Sequence, residues 1–372
     1  MKLLTAIDSM KGSLTSIEAN QIIADTFTAW GHQVAQVAIA DGGEGTVDAL
    51  IKNKNGQKKV VPVQALNGRQ QFASFGWFES EKMAIIESAA ASGVQFLDGT
   101  LATHPKNTSS YGTGQLILAA MDQEAKKIVI GLGGTGTVDG GIGLLSALGI
   151  EFFDENHQRL PAKGSSLAKI ASFSKEKLDP RIQTIDIQIA ADVESPLTGE
   201  KGAVKMFGRQ KGLLESEIEP YETAMKHYQS IVTNEEKTLS GDGAAGGLGF
   251  AIRIFLKGTV RSGFELISEQ TDLEQLIQQV DVVITGEGKM DYQSLQGKVP
   301  IGISRLAKKY QLPVIAFVGS FSGDDVLFYH EGISVIIPIV DQIMTLEEAM
   351  TSADELLKRA AKRSLQLLTL LK

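Results

Sequence analysis

The sequence predicts an α/β protein of two domains, one of them a doubly wound parallel sheet assembled from both chain ends, although two α/β domains in series would read similarly. Three observations predict it. Each end of the chain alternates short apolar runs with amphipathic segments, the grammar of parallel strands joined by helices. The middle of the chain has a different texture, with short apolar runs set between glycine-rich turns and small-residue helices. The length, 372 residues, suits two or three domains at about 100–200 residues each.

In order, "KLLTAID" (2–8) reads as a buried strand ending in Asp8, and "SMKGSL" as the loop after it. Thr15 and Glu18 have the spacing of a capping box. Ala19, Ile22, Ile23, Phe27 and Trp30 then follow at helical spacing to Gly31. "QVAQVAIA" (33–40) reads as a second strand, "DGGEG" as its exit loop and "TVDALIKN" as a second helix. Towards the other end, "DVVITG" (281–286) is a strand and "VPIGISRLAKKY" a helix. "PVIAFVG" (313–319) and "ISVIIPIV" (333–340) are further strands. "LEEAMTSADELLKRAAKRSLQLLTLL" closes the chain as an amphipathic helix, whose acidic first half suits packing on a sheet and not a membrane surface. "SEIEPYETAMKHYQSIVTNEEKTLS", in the middle, reads as a charged surface helix.

Bulk composition excludes several classes. Hydrophobic content is 43%, charged content 22% and net charge −8, so neither a general nucleic-acid surface nor an anionic-membrane surface is expected. With no cysteine there are no disulfides, thiolate metal sites or thiol nucleophiles. The opening "MKLLTAIDSMKGS" has too short an apolar run for a signal peptide, and no run is long enough to span a bilayer. A cytoplasmic enzyme is therefore expected. Glycine is the abnormal count: 39 residues against a usual share of ~7%, and the glycines cluster.

"GLGGTG" (131–136) matches G-x-G-x-x-G after the strand-like "KIVI", which suggests a dinucleotide loop. The following "TVDGGIG" puts further glycines and an acid where that fingerprint needs a clean helix start. A glycine-lined anion or substrate loop and simple close packing are the other readings. There is no G-x-x-x-x-G-K-[ST], so a P-loop is disfavoured. Glycine-rich turns that open helices can still hold phosphate through outward N–H groups; "DGGEG" and "GKVP" fit that geometry. Acids recur at strand exits: Asp8, Asp41 with Glu44, Asp139, Asp192, and Glu287 with Asp291. Single acids of this kind are often helix caps. As a set they suit Mg²⁺, which takes one or two carboxylates plus substrate phosphates, and they suit orientation of a hydroxyl during phosphoryl transfer. Lys11, Lys211 and Lys298 each adjoin a glycine, where a cation can approach an anion closely. The five histidines (32, 104, 157, 227 and 330) show no ligand spacing.

The order of motifs goes further. "DSMKGSLTS", "ADGGEGTVDAL", "IESAAASGV", "TSSYGTGQLI", "GLGGTGTVDGGIGLLSALG", "ADVESPLTGEKGA", "FGRQKG", "GDGAAGGLGFA" and "TGEGKMDYQSLQGKVPIG" together resemble the type 1 glycerate kinases of bacteria, from about residue 2 to 320. The resemblance implies ATP- and Mg²⁺-dependent phosphorylation of D-glycerate, in glyoxylate, glucarate or galactarate breakdown. It also implies two α/β domains with the site between them. On that basis residues 1–65 and 280–372 form a Rossmann/flavodoxin-like domain, into which an α/β domain at 66–279 is inserted. Carried over position by position, the motif residues are Asp8, Ser9, Lys11, Asp41, Glu44, Asp139, Asp192, Gln210, Lys211, Glu287, Asp291, Gln293, Ser294 and Lys298. The chain departs from the pattern at "GGTGTVDGG", where Val138 replaces an amide and Gly136 a small side chain. Met10 stands where an aromatic is common, and Arg209 where proline often sits.

On this reading ATP phosphates rest against the turns 42–45 and 286–298, with Gly42, Gly43, Gly286, Gly288 and Gly297. Mg²⁺ lies near Asp41, Glu44 or Glu287, and Lys11 and Lys298 neutralise the transferring group. Glycerate's carboxylate meets Lys211 or the 133–141 loop, with Gly133 and Gly134. Asp192 or Asp291 orients the accepting hydroxyl, and Asp8 belongs to the same chemistry. Closure of the site excludes water. Homo-oligomer formation is left open, as is the choice between O2 and O3 of glycerate. Two other classes stand beside this one. A nicotinamide-dependent oxidoreductase would use 131–136. A non-catalytic sensor of phosphorylated sugar acids would carry an attached DNA-binding helix pair, and the sequence contains none.

Overall fold

A computed structural model describes residues 1–191, 194–233 and 239–370. By contacts the chain divides into two compact units. One comprises Met1–Asp41, Asp48–Asn55 and Phe264–Lys372, the other Gly42–Val47 and Gly56–Gly263.

The first unit is a five-stranded sheet in the order Val335–Pro338, Val314–Phe321, Val282–Met290, Lys2–Ile7, Gln33–Gln36, with every pair parallel. Counted along the chain this is the 2-1-3-4-5 order of flavodoxin-like sheets. Strand composition follows position. Lys2–Ile7 is buried from Leu3 onward because it lies between two neighbours and under helices, which favours an unbroken apolar run. Gln33–Gln36 is an edge and alternates towards polar residues. Val335–Pro338, the other edge, tolerates a proline that a central strand would not.

Helix Ser16–Thr28 begins at the expected capping box: Glu18 N–H donates to Thr15 Oγ1 at 3.2 Å, and Thr15 N–H donates to Glu18 Oε2 at 2.9 Å. Within it Asn20 is buried and fully engaged. Its amide oxygen accepts from Thr5 Oγ1 (2.7 Å) and Ile7 N–H (2.9 Å), while its NH₂ donates to Ile7 O (3.1 Å), Ser16 O (2.8 Å) and Val37 O (3.3 Å). One side chain thus fixes the end of the first strand, the helix and the exit of the second strand. The second strand is shorter than its apolar run. Asn53 exchanges two hydrogen bonds with the backbone of Ala38 (3.1 and 2.6 Å), and Ile39 N–H donates to Ser16 Oγ (2.9 Å). Side chains therefore take over from the ladder and lead buried residues 37–40 to Asp41.

Val282–Met290 is longer than expected, because Val314–Phe321 stays paired with it as far as Met290 opposite Phe321. Glycines permit this. A Cβ on Gly286 would lie 1.9 Å from the carbonyl oxygen of Phe317, one on Gly319 would lie 2.4 Å from that of Gly288, and one on Gly288 would press on Met10 Cα at 3.3 Å. The glycines of this stretch serve close approach of backbones, and residues 286–290 are strand and not loop. The expected closing helix is two helices, Leu346–Thr351 and Ala353–Leu370, interrupted at Ser352. Leu356, Leu357, Ala360, Ala361 and Leu365 of the second pack with Ala19, Ile23 and Phe27 and with sheet residues Leu3 and Phe317.

The second unit holds a six-stranded sheet, Thr259–Arg261, Asp186–Ala190, Lys127–Gly131, Met83–Glu87, Gln70–Phe78, Gln57–Gln64. The first three pairings in this order are parallel and the last two antiparallel. Its core includes Phe75, Trp77, Ile128, Ile130, Leu144, Tyr228 and Phe250. Helix Glu215–Val232, expected on the surface, buries Ile218, Tyr221, Met225 and Tyr228, so only one face is solvated. Among the described residues no helix is long and apolar enough to cross a membrane.

Gly286→Ala is expected to destabilise the first unit by about 1–3 kcal/mol through overpacking on a backbone carbonyl that has nowhere to move. A lowered urea midpoint and Tm are the readout, and an unchanged midpoint would refute the close-approach account.

Candidate active site

Every strand of the first unit's sheet delivers its carboxyl end to one cavity of about 550 Å³. Asp41 comes from the chain leaving Gln33–Gln36. Asp8, Ser9 and Lys11 follow Lys2–Ile7. Glu287 and Gly288 lie on Val282–Met290, Gly319 and Ser320 on Val314–Phe321, and Ile339 and Val340 just beyond Val335–Pro338. Lys298 completes the charged end. The strand order reverses between Lys2–Ile7 and Val282–Met290, and open α/β sheets bind ligands in the crevice outside such a reversal.

The charged end concentrates carboxylates in a poorly solvated place. Asp8 is 7% exposed and Glu287 6%. Burial, then the nearby charges of Asp41 and Glu287, hold the Asp8 carboxyl well above the usual range, against a 2.7 Å hydrogen bond from Ser9 N–H and the opposing pull of Lys11. Glu287 is pushed up to about 7, chiefly by burial; Ser294 and Lys298 pull it down, while Asp291 and Asp41 push it up. Its Oε1 is buried with no hydrogen-bond partner among the described residues. Such a cluster retains protons or attracts cations.

The segment after the strand is held by its own turn. Asp291 accepts from Gln293 N–H (2.9 Å) and pairs with Lys289 (2.9 Å), which holds its carboxyl below the usual range. Asp291 N–H donates to Ser294 Oγ (3.1 Å), and Ser294 N–H returns to Asp291 O (2.8 Å). Ser294 is buried and Gln293 exposed. Gly297, at φ +100°, takes the left-handed turn that sends the chain through Lys298 into helix Val299–Lys309. Asp291, Gln293, Ser294, Gly286 and Gly297 are not among the cavity's lining residues.

The remaining expected site residues belong to the second unit. Glu44 is exposed there, and Gly42 and Gly43 are buried. A Cβ on Gly131 would meet Gly42 O at 2.1 Å, and one on Gly133 would meet Gly43 Cα at 2.8 Å. The "GLGGTG" glycines are thus matched to a backbone lying directly against them. The helix after this loop, Ile142–Ala147, is only six residues long, unlike the long helix of a dinucleotide fingerprint. Gly134 lies in the same loop, at φ +70°. Asp139 is fully buried and ties that loop to its neighbours. It accepts from Ser110 N–H (2.7 Å), Ser110 Oγ (2.8 Å), Gly141 N–H (3.1 Å) and Gly143 N–H (3.2 Å), and burial still pushes its carboxyl up. Lys211 is buried, donates to Thr137 O at 3.0 Å, and is pushed down to about 8 by burial, with Asp139 opposing. Gln210 is exposed. Val138 is wholly buried in the core, and Arg209 pairs with Glu215 at 2.6 and 2.7 Å. Asp192 lies outside the described residues.

The sequence profile of the glycerate kinase family matches residues 3–369. The chain belongs to the glycerate kinase family. A glycerate kinase from Halalkalibacterium halodurans is 38% identical over 97% of this chain and 96% of its own length. The glycerate 2-kinase of Escherichia coli K12 is 39% identical over the same shares. The crystal structure of a Salmonella typhimurium LT2 protein assigned as glycerate kinase 2 superposes with a TM-score of 0.85 at 35% identity, covering 99% of this chain and 98% of that one. Members of the family are enzymes, and the α/β fold with its parallel sheet agrees with that of the solved relative.

Sequence reasoning missed one wall of this cavity: Ile339, Val340, Met344, Leu346, Ala349 and Met350. One signal was available, since Ile339 and Val340 directly follow a strand of the same parallel sheet.

Among the described residues no three His, Asp or Glu side chains converge on a metal site. Mg²⁺ does not need that, since it binds through one or two carboxylates together with substrate phosphates and water. The unpartnered Glu287 Oε1 beside two further carboxylates fits such an ion.

In metal-free buffer, Glu287→Gln is expected to gain stability over the parent as pH rises. The unfolded chain ionises this group near the ordinary carboxylate range and the folded chain only near 7. The penalty is therefore absent at low pH, grows as pH rises between those values, and is complete above them. The stability difference should move by about 2 kcal/mol in the variant's favour between pH 5 and pH 8. Denaturant titrations at the two pH values measure it, and a pH-independent difference would refute the burial argument.

Proposed function

We propose that this chain transfers the γ-phosphoryl group of ATP to O2 of D-glycerate, giving 2-phosphoglycerate and ADP, with Mg²⁺ as the metal, in the cytoplasm. The observation that carries the reading is the gathering of Asp8, Asp41 and Glu287 with Lys11 and Lys298 in one crevice at the sheet's carboxyl edge. Membership of the family supports kinase chemistry, and the name of the Escherichia coli relative supports O2 over O3.

In this reading the glycerate hydroxyl oxygen attacks the γ-phosphorus, the bond from that phosphorus to the bridging oxygen of ADP breaks, and the hydroxyl proton passes to a carboxylate. Asp8 suits that role, because its surroundings raise its proton affinity. Asp192 and Asp291 remain candidates for orienting the hydroxyl. Asp291 would act ionised, given its pairing with Lys289. Lys11 and Lys298 neutralise the phosphate oxygens as charge spreads over them. Glu287 and Asp41 are the residues we assign to Mg²⁺, whose contribution when bound is to offset phosphate charge. Lys211 acts from beneath the 133–141 loop, fixing Thr137 and hence the main chain offered to the acceptor. The unit built from both chain ends serves as the nucleotide domain.

An ADP-release assay with Mg-ATP and D-glycerate, with the phosphate position read by ³¹P NMR, is expected to show 2-phosphoglycerate; 3-phosphoglycerate would correct the regiochemistry, and no turnover would reject the reading. Asp8→Asn and Asp192→Asn should each lower kcat at least ~10-fold, and near-parental rates would remove those residues from the chemistry. Mg²⁺ alone should raise the Tm of the parent at pH 8 and raise that of Glu287→Gln less; equal shifts would place the metal elsewhere.

A further inference from the structure

The cavity has two unlike ends. At the strand-order reversal it presents carboxylates and ammonium groups. Along the far edge of the sheet it presents an apolar wall, contributed by the exit of Val335–Pro338 and by helix Leu346–Thr351. The wall rises from the core, with Ile339 buried and Met344 and Ala349 packed against it, to a solvated rim where Leu346 is 76% exposed and Val340 36%. D-glycerate, three carbons bearing a carboxylate and two hydroxyls, has no apolar face to cover it. A ligand with a charged tail and a flat apolar head would occupy both ends at once, and about 550 Å³ lies within the range of cavities that hold such molecules.

We propose that Ile339, Val340, Met344, Leu346, Ala349 and Met350 receive the purine base of the phosphoryl donor, with the phosphates running along the strand ends towards Lys11 and Lys298. The proposal deepens the kinase reading and rests on it. The two methionines suit a flat ring, since thioethers adapt to shape and contact aromatic edges favourably. The manner of recognition also follows. Thr345 is the wall's only polar side chain among the lining residues, and the helix start consumes it. It donates to Glu348 Oε2 at 2.9 Å and accepts from Glu348 N–H at 3.2 Å. With no free side chain to read the base's polar edge, the wall holds a purine by burial. A surface of that kind separates isosteres weakly, so GTP is expected to serve as donor with a KM within about tenfold of that for ATP.

The test is isothermal titration of the full-length protein with Mg-ADP and, separately, with inorganic tripolyphosphate, which has the charged tail and no base. Leu346→Asn with Met350→Gln should weaken ADP about tenfold while tripolyphosphate stays within twofold. Leu346→Asn alone, at a position 76% exposed, should weaken ADP about threefold and keeps the test decisive if the double variant is unstable. Unchanged ADP affinity, equal weakening of both ligands, or a rise confined to the KM for glycerate would each overturn the proposal. Failure of the parent to phosphorylate glycerate, with wall-dependent ADP binding intact, would sustain the base site and remove the glycerate reading. Turnover on glycerate with wall-independent ADP binding would do the reverse.

Discussion

The parallel pairing of Lys2–Ile7 with Val282–Met290 is the constraint on which the site depends. Ile7 lies opposite Gly286 in the register, so the next residue on one strand is Asp8 and the next on the other is Glu287. Two acids about three-quarters of the chain apart in sequence are brought side by side by the parallel ladder. Because side chains alternate along a strand, a slip of one residue would turn one of them away. The register is protected on one side by Asn20, which clamps the backbone of Ile7, and on the other by Gly286 and Gly288, where any side chain would push the strands apart.

Burying like charges side by side costs stability, and the raised proton affinities of Asp8 and Glu287 express that cost. A fold indifferent to chemistry would place apolar residues there. The contrast with Asp139 is instructive. It too is buried, yet four donors surround it and it organises a loop. Glu287 retains an oxygen with no hydrogen-bond partner among the described residues. Sequence alone presents both as acids beside glycine; the number of donors around each tells a structural carboxylate from one poised for a ligand.

Much of the first unit was legible in advance because apolar run length and helix-start signals are local. The Thr15 and Glu18 pair and the strands beginning near Lys2 and Val282 needed no tertiary information. What escaped had non-local causes. Residues 286–290 read as loop because glycine lowers strand propensity, whereas here its lack of a side chain lets the neighbouring backbone close in. Asn20 gave no signal, since a lone amide in a helix is unremarkable until its partners on two strands are known. The wall at 339–350 was hidden because an apolar residue on an amphipathic helix looks the same whether it faces a core or a cavity. The acids and lysines of the charged end were recognisable from their positions at strand exits, but their grouping in one crevice rests on the strand order.

The sheet of the first unit cannot be assembled in the order in which the chain is made. Lys2–Ile7, an inner strand, is made early, and the central strand Val282–Met290 that must lie beside it follows only after the whole of the other unit. At ~5–20 residues per second, that is a delay on the order of tens of seconds, during which an apolar strand, paired on one side by Gln33–Gln36, waits with its other edge unsatisfied in the company of the cell's other nascent chains. The intervening unit, contiguous from residue 56 to 263, is free to finish first and shorten the loop that remains to be closed. Recombinant yield of this enzyme should therefore respond to translation speed and chaperone supply more than its final stability would suggest.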